Sequence, residues 1–155
     1  MIPAAVSETG YKLFNADGSV LMNQTISMAL YKQKDTVYTF YLYGTDVTSK
    51  YSSERVTLQV DEKFINAGEV DLSALKDGDN FQVKYSNIQL YSPDAKYGGF
   101  SNTPDNGKLT ISRDDAGKYS ISLDIVNTYT NSTTPNGGGD KSRLVLNYQG
   151  TFDKY

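Results

Sequence analysis

The chain has 155 residues, a net charge of −3, 13 Tyr and 6 Phe, and no His, Cys or Trp. Without His or Cys it has no Ser-His-Asp triad, imidazole base, thiolate nucleophile, disulfide, or zinc site built on His or thiolate. The length fits a single domain, residues 1–155, and the acidic balance argues against nucleic acid as a partner, because that needs a basic face.

No stretch of useful length shows helical period, whereas period-2 alternation between turn residues recurs, which is the strand signature. Tyr11–Phe14 and Val20–Met22 predict a hairpin around Asp17-Gly18. Thr25–Lys32 predicts a strand with Ile26, Met28 and Leu30 on one face, turning at Gln33–Thr36 into Val37–Tyr43. Val37–Tyr43 is apolar or aromatic on both faces, so a central position is expected, with partners or water for the tyrosine hydroxyls. Arg55–Asp61 alternates with Val56, Leu58 and Val60 inward, and Phe64-Ile65 would extend it past a bulge. Val70–Leu75 fits either an extended piece or a short helical turn capped by Ser73. Asn80–Tyr91 reads as one long strand whose parity switches near Ser86-Asn87, which predicts a bulge. Lys108–Arg113 and Lys118–Asn127 form the clearest hairpin, turning at Asp114–Gly117. Leu144, Leu146, Tyr148 and Phe152 close the chain on one parity.

Two long irregular segments, 92–107 and 128–143, interrupt this series, and loops of that length in a compact domain are either functional or disordered. The expected fold is all-β: an antiparallel sandwich of eight or nine strands, jelly-roll or Ig-like, with a partly closed calycin-like barrel as the alternative. No apolar run is long enough to span a bilayer. Ser and Thr number 29 while charged residues make up only 21%. That balance suits an extracytoplasmic protein, whether periplasmic, on the outer-membrane surface or secreted.

The runs Gly107-Lys108-Leu109-Thr110-Ile111, Gly117-Lys118-Tyr119-Ser120-Ile121 and Leu146-Asn147-Tyr148-Gln149-Gly150-Thr151-Phe152 resemble the C-terminal portion of small secreted or lipid-anchored proteins of gut Bacteroidetes. The resemblance covers residues 107–152 and rests on hairpin chemistry. It implies a terminal three-stranded meander and a periplasmic or outer-surface setting, often beside glycan-utilisation machinery. It transfers no catalytic residue. The chain lacks the N-terminal lipobox of such proteins, so a lipid anchor would belong to a longer precursor.

Aromatic rings stack on sugar faces and dock partner proteins at low entropic cost. Most tyrosines here, including Tyr31, Tyr38, Tyr41 and Tyr43, fall where a sheet wants them anyway. The residues singled out for ligand binding therefore lie beside the long segments: Tyr91, Tyr97, Phe100, Asn102, Tyr129 and Asn131. Asp114 and Asp115 are adjacent, but turn chemistry explains them. Glu54, Asp61 and Glu62 carry no pocket signature. Asn15–Ser19 and Lys76–Asp79 are ordinary turns rather than calcium loops, and Gly137–Asp140 lacks the residues of a phosphate loop. No cofactor or metal is expected. The leading reading is a non-catalytic binding module at the bacterial envelope, for a glycan or an envelope protein. The alternatives are an accessory subunit that assembles through strand edges, a barrel holding a small apolar ligand, and, last, a hydrolase working with carboxylates alone.

Overall fold

The computed structural model describes residues 9–14, 18–75, 79–86, 88–91, 104–128 and 141–155. Among these, twelve strands form two six-stranded sheets, and the only helical pieces are two short 3-10 turns. The strands are β1 (Gly10–Phe14), β2 (Val20–Thr25), β3 (Met28–Lys34), β4 (Val37–Tyr43), β5 (Arg55–Asp61), β6 (Val70–Asp71), β7 (Phe81–Tyr85), β8 (Ile88–Tyr91), β9 (Pro104–Arg113), β10 (Tyr119–Thr128), β11 (Lys141–Gly150) and β12 (Asp153–Lys154). The first sheet runs β2-β1-β11-β10-β9-β6 and the second β12-β3-β4-β5-β7-β8. Neighbours are antiparallel except β12, which lies parallel to β3.

The fold is an all-β sandwich. The barrel alternative falls away, because among the described residues no strand of one sheet pairs with a named strand of the other to close the wall. The interior is filled instead. Leu13, Leu109, Ile111, Ile121, Leu123, Ile125, Leu144 and Leu146 of the first sheet pack against Phe40, Leu42, Val56, Leu58, Val60, Phe81 and Val83 of the second.

Alternation predicted this face correctly on β5, where Val56, Leu58 and Val60 are fully buried. It also predicted the β9–β10 hairpin, in which Ile111 faces Ile121 and Leu109 faces Leu123. The segments 92–107 and 128–143 are shorter than expected at their described ends, since 104–107 belong to β9, Thr128 to β10 and 141–143 to β11.

Four other expectations are corrected. Ile26, Met28 and Leu30 do not share a surface. The chain breaks at Ile26-Ser27 as it passes from the first sheet to the second, so Ile26 packs on the core while Met28 and Leu30 join a separate cluster. The parity switch after Tyr85 is a hairpin rather than a bulge, with Ser86 in the left-handed region at φ 56° and β7 pairing back onto β8. Phe64 does not extend β5. Glu62–Phe64 is a 3-10 turn capped by Asp61, which buries Phe64 and delivers Ile65 to a bridge with Ile111 on the other sheet. A second turn, Leu72–Ala74, is capped by Asp71 rather than Ser73: the Ser73 backbone N–H and hydroxyl both donate to the Asp71 carboxylate.

Candidate functional site

β4 lies between β3 and β5 and is covered on both faces. Tyr38, Phe40 and Leu42 point into the core. The opposite parity, Thr39, Tyr41 and Tyr43, faces away from the core, and there the sequence has built a second surface. Leu30, Tyr41 and Tyr43 form its buried apolar base, with Met28 and Val47 against them.

Segment 44–53 is folded onto one end of that base. The Tyr43 hydroxyl donates to the Lys50 carbonyl at 2.6 Å. The Ser27 hydroxyl donates to the carbonyls of Gly44 (2.6 Å) and Val47 (3.0 Å). The Thr45 N–H donates to the Gln24 side chain at 3.0 Å. These ties hold Lys50 and Tyr51 beside the sheet. The Tyr155 ring lies 4.7 Å from that of Tyr41, and cations border both rings. Lys32 Nζ is 5.8 Å from the Tyr41 centroid and 5.7 Å from that of Tyr155, Lys50 Nζ is 4.6 Å from Tyr155, and the Arg55 guanidinium is 5.5 Å from Tyr41. Tyr41 is buried beneath this layer, whereas Tyr155 is 38% and Tyr51 76% exposed.

Beside this platform a polar row crosses the sheet. Lys32 pairs with Thr39, Thr39 with Gln59, and Gln59 with Gln82. The row spans three strand spacings, about 14 Å from β3 to β7. Thr39 and Gln82 are each only 9% exposed. The structure gives the side chains of Thr39, Gln59 and Gln82 no hydrogen-bond partner among the described residues. Buried amides and hydroxyls normally find partners, and one left without a partner costs about 1–3 kcal/mol. An open depression of about 490 Å³ sits over the β3–β5 part of this row, its lining including Lys32, Lys34, Asp35, Thr39, Gln59 and Asn80.

The most perturbed ionisable groups lie elsewhere. The phenols of Tyr11 and Tyr85 donate to the two oxygens of Glu54, at 2.5 and 2.8 Å. Burial, then the hydrogen bond to Glu54, pushes the Tyr85 phenol up to about 12, and the same causes raise Tyr11 further. The cluster ties β1 of one sheet to β5 and β7 of the other. It also needs Gly44, where a Cβ would come within 2.8 Å of the Tyr11 hydroxyl and 2.9 Å of Glu54 Cγ. With both oxygens engaged, Glu54 is a cross-sheet brace. At another edge of the sandwich Arg113 donates to the hydroxyls of Tyr38 (3.3 Å) and Tyr119 (3.2 Å). Among the described residues no three acidic side chains gather as metal ligands would, and no helix is long and apolar enough to cross a membrane.

Of the residues singled out from sequence, Tyr97, Phe100, Asn102, Tyr129 and Asn131 lie outside the described residues, as does the side chain of Tyr91, whose backbone pairs with Val83. The surface found here was missed for an identifiable reason. Gln59 and Gln82 are ordinary outward residues in sequence, and only strand pairing aligns them with Thr39 and Lys32. The chain matches no known family model, no curated protein and no solved structure.

Proposed function

We propose that this chain is a non-catalytic extracytoplasmic module that holds a glycan across the outward face of its second sheet. The observation that carries the reading is the row Thr39–Gln59–Gln82, whose side chains have no hydrogen-bond partner among the described residues although two of its members are nearly buried. Sugar hydroxyls are both donors and acceptors, and they match amide and hydroxyl side chains group for group. The exposed rings of Tyr51 and Tyr155 supply stacking surfaces beside the row. A purely apolar partner would leave the row unsatisfied. The missing His and Cys, and the engagement of both Glu54 oxygens, favour binding over catalysis. The C-terminal resemblance to Bacteroidetes surface proteins supports the envelope as the setting.

The test is a polysaccharide and oligosaccharide array probed with the whole chain and with Gln59→Ala, Gln82→Ala and Tyr155→Ala. Binding that each substitution weakens is expected. Failure to bind any glycan, or binding that all three variants keep, overturns the reading.

A second reading, assembly through a strand edge, is favoured by β2. This outer strand of the first sheet carries no charge, and its Val20 and Leu21 are 53% and 63% exposed. Sedimentation at rising concentration tests it: self-association that Leu21→Lys abolishes would support it.

A further inference from the structure

We propose that the glycan held by this face is anionic, a polysaccharide chain bearing carboxylate or sulfate groups; this rests on the glycan reading above and narrows it. The chain as a whole is acidic, with a net charge of −3. The outward face of the second sheet runs the other way. Strand parity places Lys32, Lys34, Arg55 and Lys84 on it, and segment 44–53 adds Lys50 at its border.

None of these five cations is within ion-pair distance of a carboxylate among the described residues. Elsewhere on the molecule three cations do have such a partner: Lys63 pairs with Asp79, Lys108 with Glu69 and Arg143 with Asp124. The acidic side chains on this face are Asp35 and Asp61, at the end where Lys34 pairs with Val37 and Val37 with Asp61, and Asp153, opposite Leu30 on β12. Asp61 there is occupied by the backbone N–H of Lys63. Five cations thus stand over three carboxylates, with no ion pair between them among the described residues.

Packing against rings accounts for part of this surplus, since Lys32, Lys50 and Arg55 approach Tyr41 and Tyr155. It does not account for Lys84, which lies past the far end of the aromatic base, opposite Thr57. Lys32 ends the neutral row Thr39–Gln59–Gln82 on β3, and Lys84 stands two residues beyond Gln82 on β7, so the two lie three strand spacings and one two-residue step apart, about 16 Å. That separation is too long for one sugar ring and suits a chain with charges on spaced units. Neutral groups at the centre would read hydroxyls while the flanking ammonium groups fix acidic substituents. In a shallow site open to water such contacts weaken as salt rises.

The experiment is affinity electrophoresis, followed by calorimetry, with the whole chain. The probes are a neutral xylan, polygalacturonate, a sulfated galactan and duplex DNA, in low and high sodium chloride. The variants are Lys32→Gln, Lys84→Gln, their double and, as a control on the β9–β10 turn, Lys118→Gln. Retention by polygalacturonate or the sulfated galactan is expected, and the preferred arm identifies the acidic group. The double variant is expected to lose about tenfold in affinity, roughly 1.4 kcal/mol, and high salt to weaken the wild type, with Lys118→Gln unchanged. Equal binding of xylan, unaffected by salt or by the lysine variants, overturns the anionic inference and leaves the glycan reading standing. DNA bound as well as the acidic glycans overturns it too, as unselective charge attraction. Binding to no polysaccharide removes both.

Discussion

Replacing Gln82 with Leu should stabilise this protein. Gln82 sits on β7 as a residue only 9% exposed, and its amide has no partner among the described residues. Folding therefore strips water from the amide without replacing its hydrogen bonds, at a cost of about 1–3 kcal/mol. Leu has similar bulk and nothing to satisfy, so a gain of about 1–3 kcal/mol is expected. With a urea m-value of about 2 kcal/mol/M, the midpoint rises by about 0.5–1.5 M at unchanged m. Each kcal/mol adds about 2–4 °C to the melting temperature for a chain of this size. Gln59→Leu, at a half-buried position in the same row, should gain less. Both variants should lose glycan affinity, the pattern of a site kept at the expense of stability. A Gln82→Leu variant destabilised by 1 kcal/mol or more would show that the amide is satisfied in the folded protein, and the argument for a binding row would fail with it.

Tyr11→Phe removes one of the two phenols on Glu54 and should cost about 1.5–3 kcal/mol in urea unfolding, since the bond is to a charged acceptor. Gly44→Ala forces a methyl against the same cluster and should cost about 1–3 kcal/mol. Its effect should shrink in a Tyr11→Phe background, where the nearest clash is gone; strict additivity would count against the contact. Stability should fall as pH rises above 10. The phenols of Tyr11, Tyr43, Tyr85 and Tyr148 are raised, burial first among the causes, so between the ordinary value of 10 and about 12 for Tyr85 the unfolded chain releases protons that the fold retains. Absorbance at 295 nm with circular dichroism should show a late class of tyrosines ionising together with unfolding; one gradual wave with the fold intact would contradict this.

The strands legible in sequence were those with one dry face. β5 alternates because its inward side chains meet the other sheet and its outward ones do not, and the β9–β10 hairpin adds a turn at Asp114–Gly117 to the same pattern. β4 was legible as central because both its faces are apolar. What failed were changes of direction. Ile26-Ser27 and Glu62–Phe64 carry the chain from one sheet to the other. Residues before and after such a corner keep their parity but not their face. At Ser86-Asn87 the positive φ falls on Ser86 rather than on a Gly or Asn, and with no Gly in the pair a hairpin looked like a bulge. The candidate surface failed for a deeper reason. Alternation says that Thr39, Gln59 and Gln82 face outward, but their adjacency is set by the register between strands, which alternation within one strand does not carry.

The parallel strand β12 has a consequence for how occupancy of that surface would be felt. After β11 the chain bends at Gly150 (φ 154°), inserts Phe152 between the rings of Phe40, Tyr119 and Tyr148, and pairs with β3, where the Tyr155 N–H donates to the Tyr31 carbonyl at 2.9 Å. Tyr155 thus belongs at once to the tail that closes the core and to the platform. By thermodynamic reciprocity a ligand resting on its ring must hold the tail in place, and a tail held in place must raise affinity by the same factor. Hydrogen exchange at the Tyr155 amide then becomes a gauge of occupancy, slowing in proportion as the face is filled.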